Sequence, residues 1–136
     1  MAKTYSRCFS LEELPEVIRD LRAWAPHVAC WLLYGPMGSG KTTLVRAWLG
    51  EDVSSPTFTY IHRYPTGIHV DLYRFPTESP SRWNELYTLM EESSLIFIEW
   101  AEKLPFSPPS PWVEVRLSLK GENHRCLLAL LRIDQG

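Results

Sequence analysis

The chain has 136 residues, 45% of them apolar and 22% charged, the size and make-up of one ordinary globular domain. A formal net charge of −2 excludes a global basic field for holding nucleic acid directly. No stretch approaches the roughly 20 apolar residues of a membrane span, so no membrane partner is expected.

The N-terminus, Met1 to Arg7, has no apolar run behind its positive charge and therefore no signal-peptide pattern; the expected compartment is the cytoplasm. Ser10-Leu11-Glu12-Glu13 is a capping box that predicts a helix to about Trp24, with Leu14, Val17, Ile18 and Leu21 at helical spacing. Val28 to Tyr34 is a continuous apolar run ending in glycine, the pattern of a strand buried on both faces of a parallel sheet. A helix from Lys41 to about Leu49 follows, closed by Gly50. Phe58 to Tyr64 and Ile68 to Phe75 read as two strands around the turn Pro65-Thr66-Gly67. Arg82 to Glu91 reads as a helix, and Leu95 to Ile98 as a buried strand ended by Glu99. Residues 105–111, with four prolines, form a rigid connector too short to join two domains. Val113 to Leu119 and Arg125 to Ile133 pair as a hairpin across Gly121-Glu122-Asn123. The sum is an α/β chain of about seven strands and three helices, a mixed sheet with helices on its faces, in a single domain spanning 1–136.

Three cysteines, Cys8, Cys30 and Cys126, are odd in number and show no C-x-x-C spacing, which argues against a disulfide framework and a structural zinc site. Cys30 reads as a small core residue. The four histidines, His27, His62, His69 and His124, form no metal-ligand spacing.

The strongest motif is Gly35-Pro36-Met37-Gly38-Ser39-Gly40-Lys41-Thr42, which meets the Walker A pattern at every required position between an apolar strand and an amphipathic helix. The glycines let the backbone curl so that successive N–H groups point into one anion-sized hollow. The following helix offers its free N–H groups to phosphates. Lys41 is placed to reach the β- and γ-phosphates of ATP, and the Thr42 hydroxyl is a hard oxygen ligand suited to Mg²⁺.

Such a site needs a carboxylate near the metal and a group to orient the attacking water. Glu99 follows four apolar residues, the Walker B arrangement, and lies at the sheet edge that carries the phosphate loop. Asp71 falls within a strand pattern, where a charge is costly unless it is functional or paired, for instance with Arg74. Thr57, within Ser55-Pro56-Thr57-Phe58-Thr59, reads equally as a γ-phosphate sensor or as part of a Ser/Pro turn. Trp100 reads equally as core packing or as a lid on the site.

Four segments in one order resemble the TsaE (YjeE) family of small bacterial ATPases of tRNA threonylcarbamoyladenosine synthesis. They are the phosphate loop from Gly35 to Thr43, Ser55-Pro56-Thr57-Phe58-Thr59, His69-Val70-Asp71-Leu72-Tyr73-Arg74, and Ile98-Glu99-Trp100 followed by Glu102. The resemblance implies a P-loop NTPase fold on a mixed, mainly parallel sheet of about seven strands. It implies an ATPase that is weak alone and works with TsaD and TsaB, meeting tRNA only through them. It also implies Thr42 and Glu99 as Mg²⁺ ligands, residues 35–43 around the phosphates, Lys41, Asp71 and Glu99 in hydrolysis, and Leu11 to Glu13, Glu12 among them, near the adenine. One departure stands out: the family has a glycine shortly after the pair matched by Glu85-Leu86, and this chain has none there.

A small-molecule kinase is the main rival. Kinases of that kind clamp the transferred group with lid arginines, and residues 76–94 hold only Arg82. A GTPase reading lacks an Asn-Lys-x-Asp segment. A nucleotide-sensing module differs from the ATPase only in whether hydrolysis matters.

Overall fold

A computed structural model describes residues 3–50 and 60–134. Thr57 and the rest of its motif lie outside the described residues.

The strands are β1 (Lys3–Ser10), β2 (Cys30–Tyr34), β3 (Ile61–Tyr64), β4 (Gly67–Asp71), β5 (Ile96–Glu99), β6 (Trp112–Lys120) and β7 (His124–Arg132). The α-helices are α1 (Leu14–Trp24), α2 (Lys41–Leu49) and α3 (Pro80–Glu92). All seven strands form one sheet in the order β1-β7-β6-β2-β5-β4-β3. The pairings β6–β2, β2–β5 and β5–β4 are parallel, and the outer pairings are antiparallel.

The parallel centre follows from composition. β2 and β5 carry almost unbroken apolar runs because both their faces are covered. One face packs Trp31, Leu33, Phe97, Val113 and Val115 against Leu21 of α1 and Leu44, Val45 and Trp48 of α2. The other packs Leu32, Val70, Ile96 and Ile98 against Leu86 and Met90 of α3. Burying an aliphatic or aromatic side chain of this kind stabilises the fold by about 1.5–3 kcal/mol. These layers hold the C-terminal ends of β2, β4 and β5 at one edge, beside the N-terminus of α2.

Two expectations change. The segment expected as a strand from Ile68 to Phe75 stops at Asp71 and becomes a 3-10 turn, Leu72–Arg74. The Asp71 carboxylate causes the break by accepting the Tyr73 backbone N–H at 3.0 Å, a local bond that competes with the strand ladder. Second, Cys8 and Cys126 form a disulfide, where the odd count and the spacing argue against a disulfide framework. They stand directly opposite on β1 and β7, a proximity that spacing along the chain could not reveal.

β1 itself has no counterpart among the predicted elements. Of its eight residues only Phe9 is buried, so its hydrophobic alternation is faint. Beyond its pairing and disulfide to β7, its side-chain ties toward α1 are polar: Arg7 bridges to Glu13, Glu16 and Asp20 at 2.9, 2.8 and 3.4 Å, and the Tyr5 hydroxyl donates to Asp20 at 2.7 Å. The capping box stands where the sequence puts it, with the Glu13 carboxylate accepting the Ser10 N–H at 2.9 Å, ahead of a 3-10 turn that runs into α1. The missing glycine after Glu85-Leu86 falls inside α3, which runs unbroken to Glu92. No described helix is long and apolar enough to cross a membrane.

Candidate nucleotide site

The phosphate loop joins β2 to α2. Gly35 has φ +150°, and a Cβ there would meet the Leu117 carbonyl oxygen at 2.6 Å, so only glycine lets the loop pass β6 this closely. Gly40 caps α2 in the left-handed region at φ +100°. The Pro36 carbonyl accepts the Ser39 N–H at 3.1 Å and tightens the turn. Ser39 is fully buried, and its Oγ has no hydrogen-bond partner among the described residues. An orphaned hydroxyl beside free helix N–H groups fits a bound anion.

Lys41 is buried at the start of α2. Its Nζ donates to the Gly35 carbonyl oxygen at 2.5 Å and lies 5.2 Å from the Trp100 ring centre. The loop thus holds the cation over its own mouth, where a phosphate can exchange for the carbonyl.

At the next residue, the Thr42 hydroxyl donates to both oxygens of Glu99, at 3.0 and 2.9 Å. Glu99 is 4% exposed. Burial pushes its pKa up, but the hydrogen bond and charge of His69, the Thr42 hydroxyl and the charge of Lys41 outweigh that and hold it below the ordinary carboxylate value. A hydroxyl and an ionised carboxylate in contact are a hard-oxygen pair, and such donors fit Mg²⁺. Among the described residues no three His, Cys, Asp or Glu side chains are grouped to hold a metal ion. A cation at Thr42 and Glu99 would therefore complete its shell with water and phosphate oxygens, as Mg²⁺ commonly does.

Asp71 stands at the end of β4 beside Glu99, half-buried. Its carboxylate accepts the Tyr73 N–H, and no ion pair with Arg74 is present among the described residues. Trp100 is the one described non-glycine residue with positive φ, at +60°. That conformation costs of order 1 kcal/mol for an L-residue. It swings the indole out of the strand and over Lys41, with Tyr73 at 5.1 Å on the ring and Lys103 at 5.9 Å.

These groups line a cleft of about 800 Å³. Its floor is residues 37–44 with Asp71, Glu99 and Trp100, and its far wall is Phe9 to Glu12 together with Glu122, Asn123 and Arg125. Gly35 and Pro36 shape the loop from behind and do not line the cleft. Glu12 lies on the wall beside Leu11.

The family model described as "Threonylcarbamoyl adenosine biosynthesis protein TsaE" matches residues 8–127. The chain belongs to the TsaE family. It is 37% identical over 108 residues to the tRNA threonylcarbamoyladenosine biosynthesis protein TsaE of Rickettsia bellii (strain RML369-C), over 69% of this chain and 72% of that one. The crystal structure of Bacillus subtilus YdiB superposes with a TM-score of 0.72 at 22% identity, covering 96% of this chain and 87% of that one. It shares the α/β fold with its mixed seven-stranded sheet.

Within this TsaE-family chain, Glu122, Asn123 and Arg125 were not among the expected site residues. Arg125 donates to the Gly38 carbonyl at 3.4 Å. Nothing in the hairpin sequence announces that its turn folds back to the phosphate loop. His69 was also missed as a partner of Glu99, although its spacing of two from Asp71 placed both on one strand face.

Proposed function

We propose that this chain is a Mg²⁺-dependent ATPase acting in threonylcarbamoyladenosine modification of tRNA together with TsaD and TsaB, in the cytoplasm. The observation that carries the reading is the Thr42 hydroxyl on both oxygens of buried Glu99, directly beneath a complete phosphate loop. Residues 37–43 and the N-terminus of α2 bind the phosphates, and Lys41 leaves Gly35 for them. Thr42 and Glu99 hold Mg²⁺, which when bound neutralises phosphate charge in hydrolysis. Asp71, beside Glu99, orients the attacking water. Glu12 and its neighbours border the nucleoside end of the cleft.

The kinase alternative finds no support in the fold. The stretch that would supply a lid is α3, whose Leu86 and Met90 are core residues, and Arg82 is engaged with Glu85 at 3.1 Å.

The partner assignment rests on membership of the TsaE family. Coupling needs two states with different affinities for something outside the chain. The test is phosphate release and co-elution with purified TsaD and TsaB from the same organism, with ATP, ADP or no nucleotide. The expected result is slow release alone, a rise with the partners, and nucleotide-dependent co-elution. Brisk hydrolysis indifferent to the partners would overturn the partner assignment, and no ATP binding at all would overturn the ATPase.

A further inference from the structure

The Glu99 carboxylate is gripped from two sides. Thr42 reaches it from α2, and His69 reaches it from β4, with Nε2 2.5 Å from Oε2. Both members of the His69–Glu99 pair have side chains only 5% exposed. Their backbones are fixed by the β4–β5 ladder, in which His69 lies opposite Phe97 and Asp71 opposite Glu99. His69 therefore leans across two residues of register to meet the carboxylate, while the Asp71 carboxylate, directly beside Glu99, accepts the Tyr73 N–H instead. The His62 ring packs against His69 at 5.6 Å and closes its outer side.

An ionised carboxylate only accepts hydrogen bonds, so the hydrogen in this contact belongs to Nε2. A buried glutamate side chain with a single donor keeps rotamer freedom about its terminal torsion, which is broad and roughly two-fold. A second donor, set at a different angle, removes that freedom. We infer that His69 is a positioning residue, whose Nε2–H holds the Glu99 carboxylate turned toward Thr42 and so sets the affinity of the site for a divalent cation. The inference rests on the nucleotide-site reading above and assigns His69 no contact with nucleotide or metal.

A purely structural His69 would fill space and satisfy a buried charge without regard to which ring nitrogen donates. Two substitutions separate these roles. In His69→Gln the amide nitrogen stands near the place of Nε2, whereas in His69→Asn it stands near the place of Nδ1. The measurement is calorimetric binding of a non-hydrolysable ATP analogue as Mg²⁺ is varied, beside binding of the same analogue with Mg²⁺ chelated. His69→Asn should raise the Mg²⁺ concentration for half-maximal binding about 10–100-fold, and His69→Gln should restore it to within about 3-fold of the parent, as for other partners of metal ligands. Binding without Mg²⁺ should change little in either variant. Independently of any variant, ¹⁵N nuclear magnetic resonance of the metal-free protein should find the His69 hydrogen on Nε2.

Equal Mg²⁺ requirements in the parent and both variants, an equal rise in both, or an Nε2 without hydrogen would each overturn the inference while leaving nucleotide binding by the parent intact. A parent protein that binds the analogue with no Mg²⁺ dependence would instead overturn the site reading, and this inference with it.

Discussion

Asp71 and Glu99 stand side by side at the C-terminal ends of adjacent parallel strands, yet they live in different surroundings. Glu99 is buried and bonded to Thr42 and His69, whereas Asp71 is half-buried and its carboxylate accepts the Tyr73 N–H. Two carboxylates at one sheet edge, one tied down and one facing a cleft, suit two roles, cation ligand and water-orienting base. Asp71→Asn keeps the shape and the Tyr73 bond but cannot polarise water as a carboxylate does. The expected outcome is unchanged ATP binding with hydrolysis reduced about 10²–10⁴-fold, measured by calorimetry and phosphate release. Loss of the folded circular dichroism spectrum would point to a structural role instead.

Lys41→Ala removes the only lysine or arginine of the phosphate loop. It also leaves the Gly35 carbonyl without its 2.5 Å donor and removes the nearer of the two lysines on the Trp100 ring. Nucleotide affinity should fall by roughly 1.5–3 kcal/mol, the worth of hydrogen bonds to a charged group, and hydrolysis should become undetectable. Calorimetric titration with Mg²⁺ and ATP checks the first, and affinity equal to the parent would remove Lys41 from the site.

The legible part of this molecule was its centre. The apolar runs of β2 and β5 and the phosphate loop with its helix announce themselves, because parallel strands are buried on both faces and the loop requires glycine where φ is positive. The two edges were harder. β1 is held by Arg7 and Tyr5 to α1 and not by a hydrophobic stripe, so periodicity passes over it. Once β1 is missing, Cys8 has no neighbour and its bond to Cys126 cannot be foreseen. The wall formed by Glu122, Asn123 and Arg125 depends on β6 and β7 each running nine residues, a length that sequence patterns fix only loosely. At the site, Glu99 was legible as a strand-end acid, but its two donors come from α2 and β4, 57 and 30 residues away.

The Cys8–Cys126 bond joins strands 118 residues apart in sequence, and long loops are where a cross-link most restricts the unfolded chain. Cys8→Ser, or addition of a reductant, should lower unfolding stability by roughly 2–4 kcal/mol, read from urea midpoints. Cys30 is buried, and burial alone pushes its thiol up to about 12. Thiol-specific labelling of the reduced folded protein should therefore reach Cys8 and Cys126 and spare Cys30 until the chain unfolds. Labelling of three cysteines without reductant or denaturant would contradict both statements.

The junction of β1 and α1 should be sensitive to acid through Glu13. Its carboxyl is held below the ordinary value of 4.5, first by the Ser10 backbone N–H, then by the Ser10 hydroxyl and Arg7. A carboxylate whose folded pKa is depressed favours the folded state above the unfolded pKa. That contribution declines as pH falls below about 4.5, where the unfolded chain takes up its proton first, and it is gone once pH has dropped below the folded pKa. Glu13→Gln keeps an amide oxygen that can accept from Ser10, but it has no proton to gain. Its melting temperature should be lower than the parent's at pH 7, where the charge on Arg7 loses a partner, and the gap should narrow steadily below pH 4.5. Side-chain nuclear magnetic resonance titration supplies the second check, with the Glu13 carboxyl midpoint expected below 4.5. A gap that stays constant from pH 7 to pH 3, with a Glu13 midpoint at or above 4.5, would mean that the cap is held by shape and not by its charge.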